Sequence, residues 1–386
     1  MSRTARTSRH LARPARPVAR RTGSPPRTPR PTRVAVAALA VLALAGLAAC
    51  SQANAEAGHG AASAPTGALP TAVPAGTTLV VGDPTTQKAV EIAGDDLDSD
   101  LGFEIEWANV SGGPATTEAF RAGSLDVGAV ADIPPIHATW TGLDVQIVAA
   151  AYREDWQENP IYSFGVAPGV DGVDELEDLR GLRVAYSPGQ AQGAIVLRAL
   201  EEAGLTQDDV TLVELPSTGD VYPTALAAKE VDVAPLGGIQ VARYLDAYGS
   251  DGAHVVAHGL RDDPSTLYVP SEVLADPAKA AALRAYVELW AAAKLWVHDH
   301  PEEWKQGYYV EDQGLSAADA DYLVAHAGVP DLPEDWTEPI ARHQETIDLL
   351  AQATGNDVLD AADLWDERFA AVVAEGAAAY RAGAGG

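Results

Sequence analysis

Residues 181–204 read GLRVAYSPGQAQGAIVLRALEEAG, which predicts a buried strand, a tight turn of small residues and a helix in immediate succession. The helix would begin after the turn at residues 187–189 and end at Gly204. Its first N–H groups have no partner within the helix and carry partial positive charge, so such a corner can bind a sulfonate, phosphate or carboxylate without Lys or Arg. Because strand–turn–helix units are also plain structure in α/β proteins, one unit alone leaves both interpretations open.

The same construction recurs along the chain. Residues 78–94, TLVVGDPTTQKAVEIAG, place a helix start at Thr85 directly after a strand, and two further strand ends in this part of the chain lead into helix starts marked by proline. In the last of these, Asp132 is the predicted N-cap. Ligands of open α/β sheets collect at the carboxyl ends of the strands, so these ends are predicted to form one cleft. The further predicted units lie at residues 103–114, 125–135 and 231–240.

Residues 1–49 are predicted to be an export signal. Ten arginines and no acid lie within residues 3–33, and residues 34–49 form a run of small and apolar residues. That run is shorter than the roughly 20 residues that span a bilayer as a helix. It ends in Leu47-Ala48-Ala49-Cys50, which resembles the bacterial lipobox, so Cys50, the only cysteine, is the predicted lipidation site. A plain secreted protein with an incidental cysteine is the alternative.

Acidic residues dominate the chain that remains after residue 49. Removing the signal leaves 16 of the 26 basic residues and all 55 acidic residues, a formal net charge of 16 − 55 = −39. This charge excludes nucleic acid as a partner, and an anionic ligand would have to be bound by local dipoles. Residues 50–77 are rich in Ala, Gly, Ser, Thr and Pro and are predicted to be a flexible tether. The length beyond them predicts two lobes.

The sequence lacks G-x-S-x-G, Walker and G-x-G-x-x-G patterns, so neither a catalytic residue nor a cofactor is predicted. Residues 95–100 have the composition of a calcium loop, but the required glycine does not follow the third ligand, which favours a solvated helix end. Four histidines have zinc-compatible spacings without an HExxH motif or a cysteine partner, so no metal site is predicted. These histidines are His254, His258, His298 and His300.

Together these features resemble the substrate-binding lipoproteins of ABC importers, most closely the branch for aliphatic sulfonates, taurine and nitrate. The matching stretches are AGSLDVG at residues 122–128 followed by DIPP at 132–135, DLRGLRVA at 178–185, and LRAL, AGLT and DDV between residues 197 and 210. The resemblance covers roughly residues 78–310, and the order of the motifs is more specific than any one of them.

The resemblance implies an α/β, two-lobed periplasmic-binding-protein type II fold, with a ligand cleft between the lobes and a helical C-terminal segment on the first lobe. Lobe 1 would comprise residues 78–165 and 262–386, and lobe 2 residues 166–261. Residues 152–164 are interpreted as a loop leading to the crossover between lobes, in which Arg153 and Trp156 are candidates to line the cleft. The implied ligand contacts are Thr85, Thr86, Gln87, Ser111, Gly112, Asp132, Ile133, Ser187, Gln190, Ala191, Gln192, Gly238 and Gln240.

The implied function is that of a receptor, not an enzyme, anchored through Cys50 to the outer face of the bacterial cytoplasmic membrane. It would capture a small anionic or zwitterionic ligand, close on it and deliver it to an ABC permease. Asp132 beside an anion is unfavourable unless it caps its own helix or meets a ligand amine, as in a taurine-like zwitterion. Two alternatives remain: a receptor for a thiamine-precursor pyrimidine or another small organic ligand, and a surface lipoprotein that senses its ligand without transporting it.

Overall fold

The computed structural model describes residues 67–97, 101–110 and 112–384. The predicted signal at residues 1–49, the lipidation site Cys50, most of the predicted tether and the candidate Ser111 lie outside these residues. The strands are β1 (Thr78–Gly82), β2 (Glu104–Trp107), β3 (Val127–Val130), β4 (Val145–Arg153), β5 (Tyr162–Val166), β6 (Arg183–Tyr186), β7 (Thr211–Glu214), β8 (Val233–Gly237), β9 (His254–Val256), β10 (Ser265–Pro270) and β11 (Pro330–Asp331).

Helices connect and cover these strands, and short 3-10 turns lie between several of them. The mixture of strands and helices confirms the predicted α/β class. The α-helices are α1 (Pro84–Ala93), α2 (Gly113–Arg121), α3 (Ile133–Trp140), α4 (Ala191–Glu202), α5 (Val221–Ala227), α6 (Ile239–Tyr248), α7 (Ser271–Ala275), α8 (Pro277–Asp299), α9 (Pro301–Trp304), α10 (Ala317–Ala325), α11 (Thr337–Thr354) and α12 (Ala370–Ala384), and a π-helix spans Lys305–Asp312.

The strands form two separate mixed sheets, each the centre of one lobe. The first sheet has the order β11-β4-β10-β3-β1-β2, in which β1 runs parallel to β2 and β3, and β10 runs antiparallel to β3 and β4. The second sheet has the order β7-β6-β8-β5-β9, in which β6 runs parallel to β7 and β8, and β5 runs antiparallel to β8 and β9. The carboxyl ends of β1, β3 and β4 therefore lie along one edge of the first sheet.

The chain passes between the two sheets twice, at residues 154–161 and 257–264. Two carboxylates hold the crossing segments together: Asp262 accepts hydrogen bonds from the backbone N–H groups of Ile161 and Tyr162, at 3.0 and 2.7 Å, and Asp263 accepts one from Arg153 N. Strand β5 pairs within the second sheet, so that sheet starts at Tyr162, a few residues before the predicted lobe boundary at 165/166. The division into two lobes of those lengths otherwise stays a prediction.

The helical C-terminal part of the chain packs mainly on the first sheet. Side chains of α8 share one core with β1, β3 and β4, and tryptophans from this part of the chain are fully buried. Long apolar helix faces explain this, since each buried large side chain contributes about 1.5–3 kcal/mol of transfer free energy. In the part of the chain that the structure covers, no helix combines the length and the apolar character needed to cross a bilayer. The fully buried tryptophans are Trp290, Trp296, Trp336 and Trp365.

Folded structure begins before the predicted end of the tether at residue 77. Leu69 and Val73 pack against the core of the first lobe, and the carbonyl of Gly67 accepts a hydrogen bond of 3.3 Å from the Arg368 guanidinium. The composition of residues 50–77 gave no sign of this, because two isolated apolar residues make no periodic pattern. Leu69 and Val73 thus pack on the first lobe although they lie within the range 50–77 that the composition predicts to be a tether, and the boundary at residue 77 stays a prediction.

Candidate functional site

The first predicted corner, at the start of α1, is capped by a carboxylate of the chain itself. Asp83 is buried and accepts hydrogen bonds from Thr86 N at 3.1 Å, from the Thr86 hydroxyl at 2.7 Å and from the Tyr286 hydroxyl at 3.0 Å. This arrangement satisfies one free N–H group of the helix and places a negative charge at its positive end. An external anion at this corner therefore competes with Asp83 and needs additional positive charge.

Of the three candidates on this corner, two face a cavity. Thr85 and Thr86 line a cavity of about 240 Å³. Gln87 instead donates a hydrogen bond of 3.0 Å to Glu91 along the outer face of α1.

The candidates that follow β2 and β3 have different surroundings in the structure. Gly112 is exposed, with φ +82°, and its carbonyl accepts hydrogen bonds from Thr116. The side chain of Ile133 belongs to the core of the first lobe. Asp132 is the N-cap residue of α3, as predicted, but within the described residues its side chain makes no capping hydrogen bond.

The Asp132 carboxylate lies instead at a contact between the lobes. One of its oxygens is 3.9 Å from the guanidinium of Arg198 on α4, and the other has no hydrogen-bond partner in the described chain. Its backbone carbonyl accepts a hydrogen bond of 3.0 Å from His343 Nε2, while His343 Nδ1 accepts one of 2.9 Å from the Trp365 indole. Since indole only donates, His343 is neutral with its proton on Nε2. Burial lowers the pKa of His343, which favours this neutral form.

The central corner, between β6 and α4, forms as predicted. Ser187 is buried, Gln190 occupies the N-cap position with an extended backbone, and Ala191 and Gln192 are partly exposed in the first turn. Gly193 allows the turn to close: a Cβ there would lie 2.2 Å from the carbonyl oxygen of Ser187.

The two candidates after β8 have structural roles inside the second lobe. Gln240 accepts a hydrogen bond from Gly237 N at 3.3 Å and donates one of 2.6 Å to the carbonyl of Gly219. Gly238 has φ +51°, and a Cβ at this position would lie 3.6 Å from Leu323 of α10. The helix α10 is joined to α6 of the second lobe at this point, where Arg243 and Asp319 form an ion pair at 2.8 Å.

A concave site lies at the edge of the first lobe, where residues of both crossing segments line it. A cavity of about 510 Å³ adjoins the cavity of about 240 Å³ that contains Thr85 and Thr86. We call the two together the cationic cavity. Their shared lining residues are Arg153, Lys294, Val297, Trp304, Tyr309 and Ala327.

Arg153 and Lys294 give this cavity its positive charge. The Lys294 ammonium lies 3.3 Å from the Ser265 hydroxyl and 5.2 Å from the centre of the Trp290 ring, and Arg153 donates a hydrogen bond of 2.6 Å to the carbonyl of Asn159. Burial lowers the pKa of Lys294, Asp83 opposes the shift, and Arg153 adds to it by repulsion. An anion placed between the two cations would relieve that repulsion.

These two cations are exceptional in such an acidic chain. Twelve of the 16 basic side chains beyond residue 49 form ion pairs within 4.0 Å of a carboxylate in the described structure. The four that do not are Arg153, Lys229, Lys294 and Arg381, and of these Lys229 and Arg381 are exposed to solvent. The other two, Arg153 and Lys294, have no carboxylate within 4.0 Å in the described residues and line one cavity.

The acids that line the same cavity already have partners. Asp155 accepts hydrogen bonds from Val329 N at 2.8 Å and from the Asn159 amide at 2.7 Å. Burial raises the pKa of Asp155, but these hydrogen bonds outweigh burial and hold the pKa below its usual range. Asp263 is bound by Arg153 N and by the Arg261 guanidinium.

Sequence reasoning named Arg153 as a cleft candidate but missed Lys294. A signal was present: Lys294 lies four residues after the buried Trp290 and three before Val297, so a charged residue occupies the apolar face of α8. Among the described residues that line the cationic cavity, none comes from the predicted second-lobe contacts at residues 187–192 or 238–240. The full set of predicted ligand contacts therefore stays a prediction.

The two sheets joined by a double crossover, with a cavity at the hinge, define the periplasmic-binding-protein fold. The aliphatic sulphonate binding protein SsuA of Escherichia coli superposes with a TM-score of 0.61 at 20% identity, over 75% of this chain and 92% of that one. The alkanesulfonate-binding protein SsuA of Xanthomonas axonopodis pv. citri, solved with MOPS bound, gives a TM-score of 0.60 at 21% identity, over 76% of this chain and 99% of that one.

The chain belongs to the NMT1/THI5-like family, whose model matches residues 99–304. A protein of Escherichia coli (strain K12), named as a candidate aliphatic sulfonates-binding protein, is 32% identical over 107 residues, which are 28% of this chain. The match spans about a third of that relative, 32% of its length.

Proposed function

We propose that the protein is an extracytoplasmic solute-binding lipoprotein of an ABC transporter, which captures a small sulfonate-like anion or zwitterion and delivers it to the permease. The observation that carries the proposal is the cationic cavity, where Arg153 and Lys294 lack carboxylate partners in the described chain of a strongly acidic protein. The sulfonate ligands of the fold and sequence relatives agree with an anionic ligand.

The ligand would first contact the charged side chains of the cationic cavity, and the two lobes would close on it afterwards. The anion would sit between Arg153 and Lys294, with the Thr85 and Thr86 side chains on the adjoining wall. Hinge motion at the two crossovers would then bring the corner at Ser187 to Gln192 towards the ligand, whose differential affinity for the closed form shifts the equilibrium. Asp132 lines a separate cavity together with Arg198 and His343, so the described structure offers no contact between its carboxylate and an amine of a ligand in the cationic cavity.

The place of action rests on the N-terminal sequence. Lipidation of Cys50 would hold the protein at the outer face of the bacterial cytoplasmic membrane, next to its permease. Metabolic labelling with a radioactive or clickable fatty acid tests this proposal, with Cys50→Ser as the variant expected to lose the label. Label retained in that variant would contradict the anchor.

A thiamine-precursor pyrimidine is the second candidate ligand, as the sequence analysis left open. The two unpaired cations argue against it, since a neutral or protonated pyrimidine supplies no counter-ion.

A sensor without transport would use the same cavity and would differ from a transport receptor only in its partner. Co-purification with a permease therefore distinguishes these two roles.

Isothermal titration calorimetry on the full chain in detergent tests the binding site. We expect an alkanesulfonate to bind, and Lys294→Met to weaken binding about 10- to 100-fold, because a charge-assisted hydrogen bond contributes about 1.5–3 kcal/mol. Lys229→Met is the matched control, since it removes the same charge from an exposed site of the second lobe. Equal affinities of both variants for the anion, or binding of pyrimidines alone, would contradict the proposed site.

A further inference from the structure

Aromatic rings form one wall of the cationic cavity. Trp304 and Tyr309 line both of its parts, and Tyr308 lines the part next to Thr85. The three rings contact one another: the centroids of Trp304 and Tyr308 are 4.4 Å apart in a stacked arrangement, and those of Tyr308 and Tyr309 are 5.3 Å apart. Such a preassembled cluster offers ring faces and edges at little further entropic cost.

The backbone that carries the two tyrosines is unusual. Lys305–Asp312 is a π-helix, a geometry that is rare and frequently found at functional sites. The segment is fixed against α1, because a Cβ on Gly307 would lie 2.7 Å from the Ile92 side chain. The wider π-helical turn lets the consecutive residues Tyr308 and Tyr309 both face the cavity.

The remaining lining residues and the volume of the cavity also favour a ligand with a large apolar body. Val297, Val324, Ala325 and Ala327 add apolar surface between the rings and the cations. The larger part alone measures about 510 Å³, and cavities of about 300–1,000 Å³ bind ligands of drug size. A two-carbon sulfonate bound to Arg153 and Lys294 would leave most of this apolar wall in contact with water.

We propose that the preferred ligand is an aromatic anion, with its sulfonate or carboxylate between Arg153 and Lys294 and its ring against Tyr308 and Tyr309. This inference rests on the proposed function, because it assumes that the cationic cavity is the ligand site. An aromatic cation, which the rings alone would also accept, is excluded by the repulsion of the two unpaired cations. The apolar lining thus favours an aromatic body of the ligand, and the two cations favour an anionic head group.

The test compares matched ligands by calorimetry on the full chain in detergent. The ligands are ethanesulfonate, benzenesulfonate and naphthalene-2-sulfonate, with benzyl alcohol as the uncharged aromatic. We expect the aryl sulfonates to bind at least about tenfold more tightly than ethanesulfonate and benzyl alcohol not to bind, because ring contacts and apolar burial add to the shared ionic contact.

Variants then test whether the aromatic side chains of the cavity cause the preference for aryl sulfonates. Tyr309→Leu is expected to reduce the ratio of aryl to alkyl affinity to about threefold or less, because it removes the ring contact and keeps the ionic contact that both kinds of ligand share. Tyr380→Phe, which alters a tyrosine at a separate cavity, is the control expected to keep the wild-type ratio. Should Tyr309→Leu fail to fold, the ligand series on the wild-type chain decides alone.

The outcomes separate the two proposals. Equal affinity of the wild-type chain for alkyl and aryl sulfonates, with loss of both in Lys294→Met, would overturn the aromatic preference and keep the anion site. Binding that neither Lys294→Met nor Tyr309→Leu changes would overturn both.

Discussion

Replacing Lys294 by methionine should make the ligand-free protein more stable while it weakens ligand binding. The ammonium of Lys294 is partly buried between Trp290 and Ser265, and Arg153 repels it. Methionine has a similar length, packs against the same surroundings and carries no charge to desolvate. Replacement of a buried ion pair by packed apolar side chains is often neutral or stabilises proteins by about 1–4 kcal/mol, because charges no longer have to be desolvated. The same gain in desolvation applies to the single charge of Lys294. Because Asp83 attracts the ammonium, we expect the lower part of this range, about 1–2 kcal/mol.

Differential scanning calorimetry measures the effect. A gain of about 1–2 kcal/mol corresponds to a rise in Tm of about 2–8 °C, from the roughly 2–4 °C per kcal/mol found for larger domains. The pH dependence gives a second readout. Because the pKa of Lys294 is lowered in the folded chain, its penalty is present at neutral pH and disappears as the pH rises towards the unfolded value of 10.5. The advantage of the variant should therefore shrink in alkaline solution.

Lys279→Met is the contrasting control on the same helix. Lys279 forms an ion pair of 2.5 Å with Asp126, which is buried and also accepts a hydrogen bond from Val80 N. Its loss should destabilise the chain, by about 1 kcal/mol since Lys279 itself is partly exposed. If Lys294→Met lowered the Tm as Lys279→Met does, the charge of Lys294 would be compensated within the protein and the reasoning from an unpaired cation would be refuted.

Two further predictions concern the frame of the site. Gly193→Ala should lower the free energy of unfolding by about 1–3 kcal/mol in urea titrations, because the new methyl group collides with the backbone of Ser187, whereas Gly249→Ala, where the Cβ meets open space, should change it by less than about 0.5 kcal/mol. Stability should also fall as the pH drops below 6.5, because the folded chain keeps His343 neutral while the unfolded chain protonates it, with a slope of at most about 1.4 kcal/mol per pH unit. His343→Gln should flatten this part of the pH profile, and an unchanged profile would speak against a buried neutral imidazole.

The local units of the fold could be predicted from the sequence because their signals are local. Pro84 and Pro277 begin α1 and α8 at the first helical position, and apolar runs mark the strands before the predicted turns. The sheet order could not be derived in this way, since strand pairing depends on contacts between distant segments. The packing of Leu69 and Val73 was missed for the same reason, because it depends on a core that distant segments of the chain form.

The candidate site depends even more than the sheet order on contacts between distant segments, which local sequence signals do not reveal. Helix starts predicted the corners at Thr85 and Ser187, but not that Asp83 would occupy the first of them. The cationic cavity combines Arg153, Ser265, Lys294 and Tyr309, which come from four segments of the chain. No spacing rule joins these residues. The sequence indicated the cavity only through single residues, such as Lys294, a charged residue on the apolar face of α8.

The position of β10 constrains the order in which the chain can assemble. This strand lies between β3 and β4, which do not pair with each other, so the first sheet stays divided until residues 265–270 have emerged. All strands of the second sheet lie between residues 162 and 256, and they are therefore complete earlier during synthesis. The inserted lobe can thus form its sheet while the first is still open, and closing the first requires contacts across more than a hundred residues, which are slow to form.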